Sequence, residues 1–162
     1  MAVTSAGLLL HRLGPAGLEV LLVHPGGPFW AKKDEGAWSV PKGELDEGEE
    51  PHAAALREVA EELGLAVPVA ADGREDLDLG EVRQRGGKVV RCFARRADLD
   101  VTEIASNQFE LEWPPRSGRR QSFPEVDRAE WFDLATARRK LLQGQVSLLD
   151  RLAEALGEPP IS

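Results

Sequence analysis

Apolar residues fall along this chain in two rhythms. Residues 3–12 and 18–24 are Leu- and Val-rich runs divided by Gly14-Pro15-Ala16-Gly17. They predict two strands joined by a turn, because Pro and Gly supply the dihedrals of a tight connection. Residues 25–36 break all periodicity and read as a loop holding Gly26-Gly27-Pro28, Phe29, Trp30, Lys32 and Lys33. Trp38-Ser39-Val40 reads as a short extended piece ended by Pro41, which biases the residue before it toward the β region.

From residue 51 to 63 the rhythm becomes helical. At about 100° per residue, Leu56, Val59, Ala60 and Leu63 share one face. Glu58, Glu61 and Glu62 fall on the other side, with Ala54 and Ala55 beside them. Pro51 suits a first-turn position, Glu49 and Glu50 favour the positive end of the dipole, and Gly64 stands where a helix stops in the left-handed conformation. Residues 66–79 are polar and irregular, with Asp72-Gly73 as a turn. Segments 80–85 and 88–95 then flank Arg85-Gly86-Gly87-Lys88, a hairpin signal. Further strands are predicted at 109–113, before Pro114-Pro115, and at 130–133. Helical spacing returns at 134–142 and 145–156, divided by Gly144.

Composition bounds the function. The chain has 162 residues, 42% hydrophobic and 30% charged, which suits one globular domain over 1–162. A formal net charge of -8 argues against a broad nucleic-acid surface, since clustered Lys and Arg hold phosphate backbones. Cys92 is the one cysteine, so no intramolecular disulfide forms, and its apolar flanks predict an inert buried thiol. No apolar run reaches the roughly 18 residues of a membrane span, and no basic region precedes the apolar N-terminal patch. A cytoplasmic, reducing location is expected.

The acidic helix face carries the chemistry. Glu58 meets Glu61 at i, i+3 and Glu62 at i, i+4, and each like-charge pair costs about 0.2–0.5 kcal/mol in an isolated helix. Arg57 offsets only part of this. A solvated acidic surface is one reading. The other is that converging carboxylates serve a hard divalent cation, as Mg2+ is held by a few carboxylates plus waters and substrate phosphates. Such a cation polarises a phosphoryl oxygen and activates bound water, the chemistry of pyrophosphate cleavage.

Gly43, Glu49, Arg57, Glu58, Val59, Glu61, Glu62, Gly64 and Leu65 match the Nudix box G-x5-E-x7-R-E-U-x-E-E-x-G-U, with U aliphatic, position for position. The chain thus resembles a Nudix hydrolase. The resemblance implies an α/β/α sandwich around a mixed β-sheet. It also implies that Glu58, Glu61 and Glu62 ligate Mg2+ or Mn2+ and that Arg57 is salt-bridged to Glu49. Gly43 would let the loop turn, and the Lys42 carbonyl would be a further backbone ligand. Glu125 is the candidate for an additional catalytic carboxylate, ahead of Glu103, Glu110 and Glu112.

The family cleaves nucleoside diphosphates linked to another moiety. Trp38-Ser39-Val40-Pro41-Lys42-Gly43-Glu44 resembles the W-x-x-P-K-G-x entry of its dinucleoside and diphosphoinositol polyphosphate branches. Lys32, Lys33 and Lys42 could offset a polyphosphate's charge. Trp38, Trp30 and Phe29 could stack on a base, with core packing as their other fate. His11, His24 and His52 show no ligand spacing, and Arg119-Arg120 reads as a solvated pair. The expected substrate is a small-molecule dinucleoside polyphosphate such as diadenosine tetraphosphate, not a long nucleic acid, acted on by a monomer or homodimer. The alternatives are nucleoside triphosphate pyrophosphatase activity and a catalytically silent ligand-sensing domain. The full set of box carboxylates counts against the last.

Overall fold

In the computed structural model, residues 4–15 and 17–157 are described; Val3 and Ala16, assigned above to a strand and a turn, lie outside them. The two apolar runs form β1 (Thr4–Gly14) and β2 (Gly17–Pro25), an antiparallel pair with Gly14 opposite Gly17. The first box residues form β3 (Lys42–Glu44), followed by α1 (Pro51–Leu63). Then come β4 (Leu77–Arg83) and β5 (Val89–Arg96), and after them β6 (Gln108–Glu112) and β7 (Arg120–Pro124). The chain closes with β8 (Val126–Asp133), α2 (Leu134–Lys140) and α3 (Ser147–Leu156).

The main sheet has the order β4-β5-β1-β2-β8, with β3 also paired to β1. β1 and β5 run parallel and the other pairs antiparallel, so the sheet is mixed. Its central strands are apolar at successive positions because both faces are covered. Leu8, Leu10, Leu21 and Val23 pack with Ala54, Ala55, Val59 and Leu63 of α1. Leu9, Val20 and Leu22 pack on the opposite side with Ala137, Leu148, Leu149 and Leu152 of α2 and α3. This is the α/β/α sandwich expected from the resemblance. Cys92 is fully buried, and burial pushes its thiol up to about 12, as an inert core cysteine requires.

One departure from a plain sheet positions the site. β1 and β2 pair from His11 to Gly14 on one side, but toward the start of β1 they part. Residues 38–44 fill the gap. Val23 and Ser39 exchange both backbone hydrogen bonds, at 2.9 and 3.0 Å, and the Leu8 N–H donates to the Pro41 carbonyl at 3.1 Å. Gly7 then pairs with Lys42. Gly7 is required here, since a Cβ would lie 2.8 Å from the Pro41 oxygen.

The structure corrects several boundaries. Trp38 and Ser39 form only single bridges, to Leu141 and Val23, and the strand of this stretch comes later, at Lys42–Glu44. β4 begins at Leu77, which pairs with Ala94, within the segment read as irregular. β8 begins at Val126, well before residue 130. β7 had no apolar alternation to announce it; its pairing with β6 makes a two-stranded ribbon apart from the main sheet. Among the described residues no helix is long and apolar enough to cross a membrane.

The close seating of α1 depends on its alanines. Replacing Ala55, which is fully buried against β1, by Leu is expected to lower unfolding free energy by about 1–3 kcal/mol through overpacking, measured by urea denaturation.

Candidate functional site

Helix α1 begins where Glu50 caps it. The Glu50 carboxylate accepts from the His52 and Ala53 N–H groups at 3.1 and 2.8 Å, and Pro51 occupies the first turn. It ends at Gly64, whose φ of 67° is left-handed and whose N–H donates to the Ala60 carbonyl at 2.8 Å. Between these caps the buried residues are Ala54, Ala55, Val59 and Leu63, while Leu56 and Ala60 are only partly covered. The alanines beside the glutamates, and not the sector of Leu56 and Ala60, are the contact with the sheet. Glu58 and Glu62 lie between Ala54 and Ala55 around the helix. When the alanines seat on β1, both carboxylates are brought down onto β3.

The contact is intimate. A Cβ on Gly43 would overlap the Glu58 carboxylate, so glycine lets that carboxylate rest on the strand and a larger residue would displace it. One residue away, the Lys42 N–H donates to Glu62 Oε2 at 2.8 Å. Burial pushes the Glu62 carboxyl up to about 7, with the Lys42 N–H and ammonium pulling the other way. Burial also raises Glu58, against the pull of Arg57. The Lys42 ammonium is lowered by burial.

Arg57 organises the remaining acids. Its Nε and Nη2 hold Glu49 in a bidentate pair at 2.8 and 2.7 Å, and its Nη1 lies 2.8 Å from Glu58 and 3.2 Å from Glu61. Glu49 also accepts from the Asp46 N–H at 3.0 Å. With Arg57 as first cause, Glu49 is held down at about 2. Glu58 and Glu61 are thus drawn toward Arg57 while Glu62 turns inward to Lys42. Among the described residues, no three His, Cys, Asp or Glu side chains come together as a metal cluster.

Glu62 and Lys42 open onto a cavity of about 180 Å3, whose wall includes Trp30, Ser39, Glu125 and Val126. Glu125 is placed by its backbone: its N–H donates to Asn107 and its carbonyl accepts from Gly26. The loop carboxylate Glu125 and the helix carboxylate Glu62 therefore share one cavity. Glu110 and Glu112 lie on the ribbon, where Glu110 approaches Arg120 and Glu112 accepts from Gly118.

Other expected substrate contacts are placed differently. Trp38 is 1% exposed, donates Nε1–H to Asp34 at 2.8 Å and packs edge-on to His24 and Phe132. It belongs to the core and offers no stacking face, because the 38–44 segment lies between two strands. Trp30, its neighbour in the preceding loop, lines the cavity instead. Lys32 and Lys33 are exposed outside the cavity lining, and the Lys33 ammonium sits 5.0 Å from the Trp30 ring. His24, given no chemistry, is fully buried and ties the loop down, with Nδ1 2.8 Å from Asp127 and Nε2 2.6 Å from the Lys33 carbonyl.

The donor set suits a hard cation. It consists of carboxylate oxygens, two of them resting on the glycine-containing strand, and the buried Glu62 lacks a full counter-charge. Glu58 and Glu61 would exchange Arg57 for such an ion.

A family model described as NUDIX domain matches residues 4–152. An RNA pyrophosphohydrolase of Novosphingobium aromaticivorans is 51% identical over 47 residues, 27% of this chain and 29% of that protein. An RNA pyrophosphohydrolase of Rhizobium meliloti is 36% identical over 104 residues, 58% of this chain and 57% of that one. The chain thus spans less than two thirds of either relative. Among solved structures, C. elegans Ap4A hydrolase in a binary complex has a TM-score of 0.60 at 23% identity, covering 96% of this chain and 98% of that one. The NUDIX domain of Shewanella oneidensis NrtR, complexed with ADP ribose, has a TM-score of 0.61 at 20% identity, covering 96% and 89%. At these identities the structural likeness shows the fold.

The depressed Glu49 carboxyl sets a pH dependence. Its ion pair stabilises the fold above the ordinary glutamate range near 4.5 and is lost as pH falls from there toward about 2. The melting-temperature gap between the wild type and Glu49→Gln is therefore expected to be full at neutral pH and to shrink across that acid window, read by calorimetry.

Proposed function

The chain belongs to the NUDIX family, and on that premise we propose that it is a divalent-metal-dependent pyrophosphohydrolase that cleaves a phosphoanhydride bond of a nucleoside polyphosphate. The observation that carries this reading is the seating of Glu58 on Gly43 and of Glu62 on the Lys42 N–H, at the edge of a cavity that also holds Glu125. Glu62 faces the cavity where phosphates would enter, and Glu58 stands one turn before it on the same helix.

Glu58, Glu61 and Glu62 would hold Mg2+ or Mn2+, with the Lys42 carbonyl available beside them. Such an ion, when bound, polarises phosphoryl oxygens and lowers the pKa of water. Lys42 supplies a fixed positive charge for the phosphate chain at the cavity wall. Glu125, across the cavity from Glu62, is the candidate to take the proton of the attacking water as its oxygen bonds to phosphorus and the bridging P–O bond breaks. Arg57 orients Glu58 and Glu61 without touching substrate.

The favoured substrate is a dinucleoside polyphosphate such as diadenosine tetraphosphate. Support comes from the W-x-x-P-K-G entry and from the shape shared with a hydrolase named for Ap4A. A second reading, release of pyrophosphate from a 5′-triphosphate RNA end, is favoured by the names of the sequence relatives. Assay with Mg2+ of diadenosine tetraphosphate, ATP and a 5′-triphosphate oligoribonucleotide, with products identified, separates these readings. Turnover of ATP alone would leave the simple triphosphate pyrophosphatase, and no turnover of any would leave a binding domain.

Glu62→Gln is expected to lower kcat by about a hundredfold or more while leaving the melting transition cooperative. A rate within about twofold of wild type would remove Glu62 from the catalytic group.

A further inference from the structure

The exposed large hydrophobic residues among those described are Leu13, Phe29 and Val69. Phe29 alone stands beside the cavity, next in sequence to the lining residue Trp30. A single exposed ring is ordinary on a protein surface. Phe29 differs in what holds it. Although 59% exposed, its ring is braced edge-on by Trp113 at 5.4 Å between centroids and 78° between planes. Trp113 comes from the β6–β7 ribbon, where its N–H donates to the Arg119 carbonyl at 2.9 Å.

The ribbon is in turn fastened to the cavity wall. A Cβ on Gly26 would overlap the Pro124 carbonyl, and one on Gly27 would lie 2.8 Å from the Phe109 ring. The Gly26 N–H donates to the Glu125 carbonyl at 3.0 Å. Loop 25–30 and the ribbon therefore form one ledge that runs from Glu125 outward to Phe29 and Trp113. At its outer end stand the exposed Arg116, Arg119 and Arg120, alongside two acids, Glu110, 3.5 Å from Arg120, and Glu112, which lies opposite Arg120 and accepts from the Gly118 N–H. On a chain of net charge -8 this is a local positive end.

We propose that this ledge is a second binding subsite, which takes the nucleoside at the far end of the polyphosphate, its base on Phe29 and its adjoining phosphate toward the ribbon arginines. A rigidly held aromatic face with a neighbouring cation suits a planar heteroaromatic ring bearing phosphate. The subsite deepens the reading above and rests on it for the identity of the ligand. It commits to a two-nucleoside ligand, in which the phosphate chain crosses the cavity and only the second nucleoside reaches the ledge.

The test is equilibrium binding by calorimetry, with Mg2+ and methylene-bridged, uncleavable ligands. One ligand is a diadenosine tetraphosphate analogue and the other its counterpart lacking the second adenosine. The wild type is expected to prefer the two-nucleoside ligand by about tenfold or more, Phe29→Ala to reduce that preference to about twofold, and Phe29→Trp to retain it. Equal affinity of the wild type for both ligands, or a preference unchanged in Phe29→Ala, would overturn the proposal. Because the readout is a ratio of affinities and not a rate, it remains decisive even if the hydrolysis assays fail. The two readings can thus fail separately.

Discussion

The absence of a side chain at Gly43 is the constraint on which the site depends. Helix α1 carries its two inward carboxylates low enough to meet β3 only because Ala54 and Ala55 seat it closely and because nothing projects from Gly43 to hold it off. Any larger residue at these three positions would lift the helix or drive Glu58 aside. Close packing transmits such a displacement, because protein interiors have little spare volume to absorb it. The splay between β1 and β2 serves the same arrangement by admitting residues 38–44 to the middle of the sheet, so that Lys42 and Gly43 lie beneath the helix and not at an outer edge.

Arg57 lets this acidic surface fold on its own. A helix with Glu58, Glu61 and Glu62 in neighbouring turns, entered through Asp46 and Glu49, would repel itself. One guanidinium meets four of these five acids, all but Glu62. Its strongest bond, the bidentate pair with Glu49, lies away from the cavity and anchors the box loop to the helix. Its other contacts, to Glu58 and Glu61, involve the groups a cation would claim. Arg57 is thus fixed at one end by Glu49 and shared at the other between Glu58 and Glu61, and Glu62, beyond its reach, has its burial offset only in part by Lys42.

Much of this was legible in the residues. The continuous apolar runs gave the two central strands, Pro51 and Gly64 marked the helix ends, and the box spacing identified the family. Helical periodicity alone could not say which sector of α1 would turn to the sheet. Leu56 and Ala60 looked as apolar as Ala54 and Ala55, and only the packing against the sheet distinguishes them. Trp38 was equally ambiguous, because a tryptophan in a short segment can line a cavity or fill a core. Its burial follows from the splay of β1 and β2, a tertiary feature with no local signature. The strand over 109–113 was legible, but its partner Arg-Gln-Ser-Phe-Pro has no alternation, so neither the ribbon nor the contact of Trp113 with the distant Phe29 could be read. Its one trace was an aromatic residue directly before a proline pair.

The parallel pairing of β1 with β5 also governs the order in which a chain made from its N-terminus can assemble. Thr4 must wait for Val89, and the outer partner of β2 arrives only with β8. Until then the most apolar strands lack neighbours on their outer edges, and non-local pairing of this kind slows folding and prolongs exposure. The stretch from β3 to α1 is available much earlier, and it docks against β1 itself. Glu58 and Glu62 can therefore be seated on Lys42 and Gly43 before Glu125 has been added to the chain, so the floor of the cavity precedes its wall.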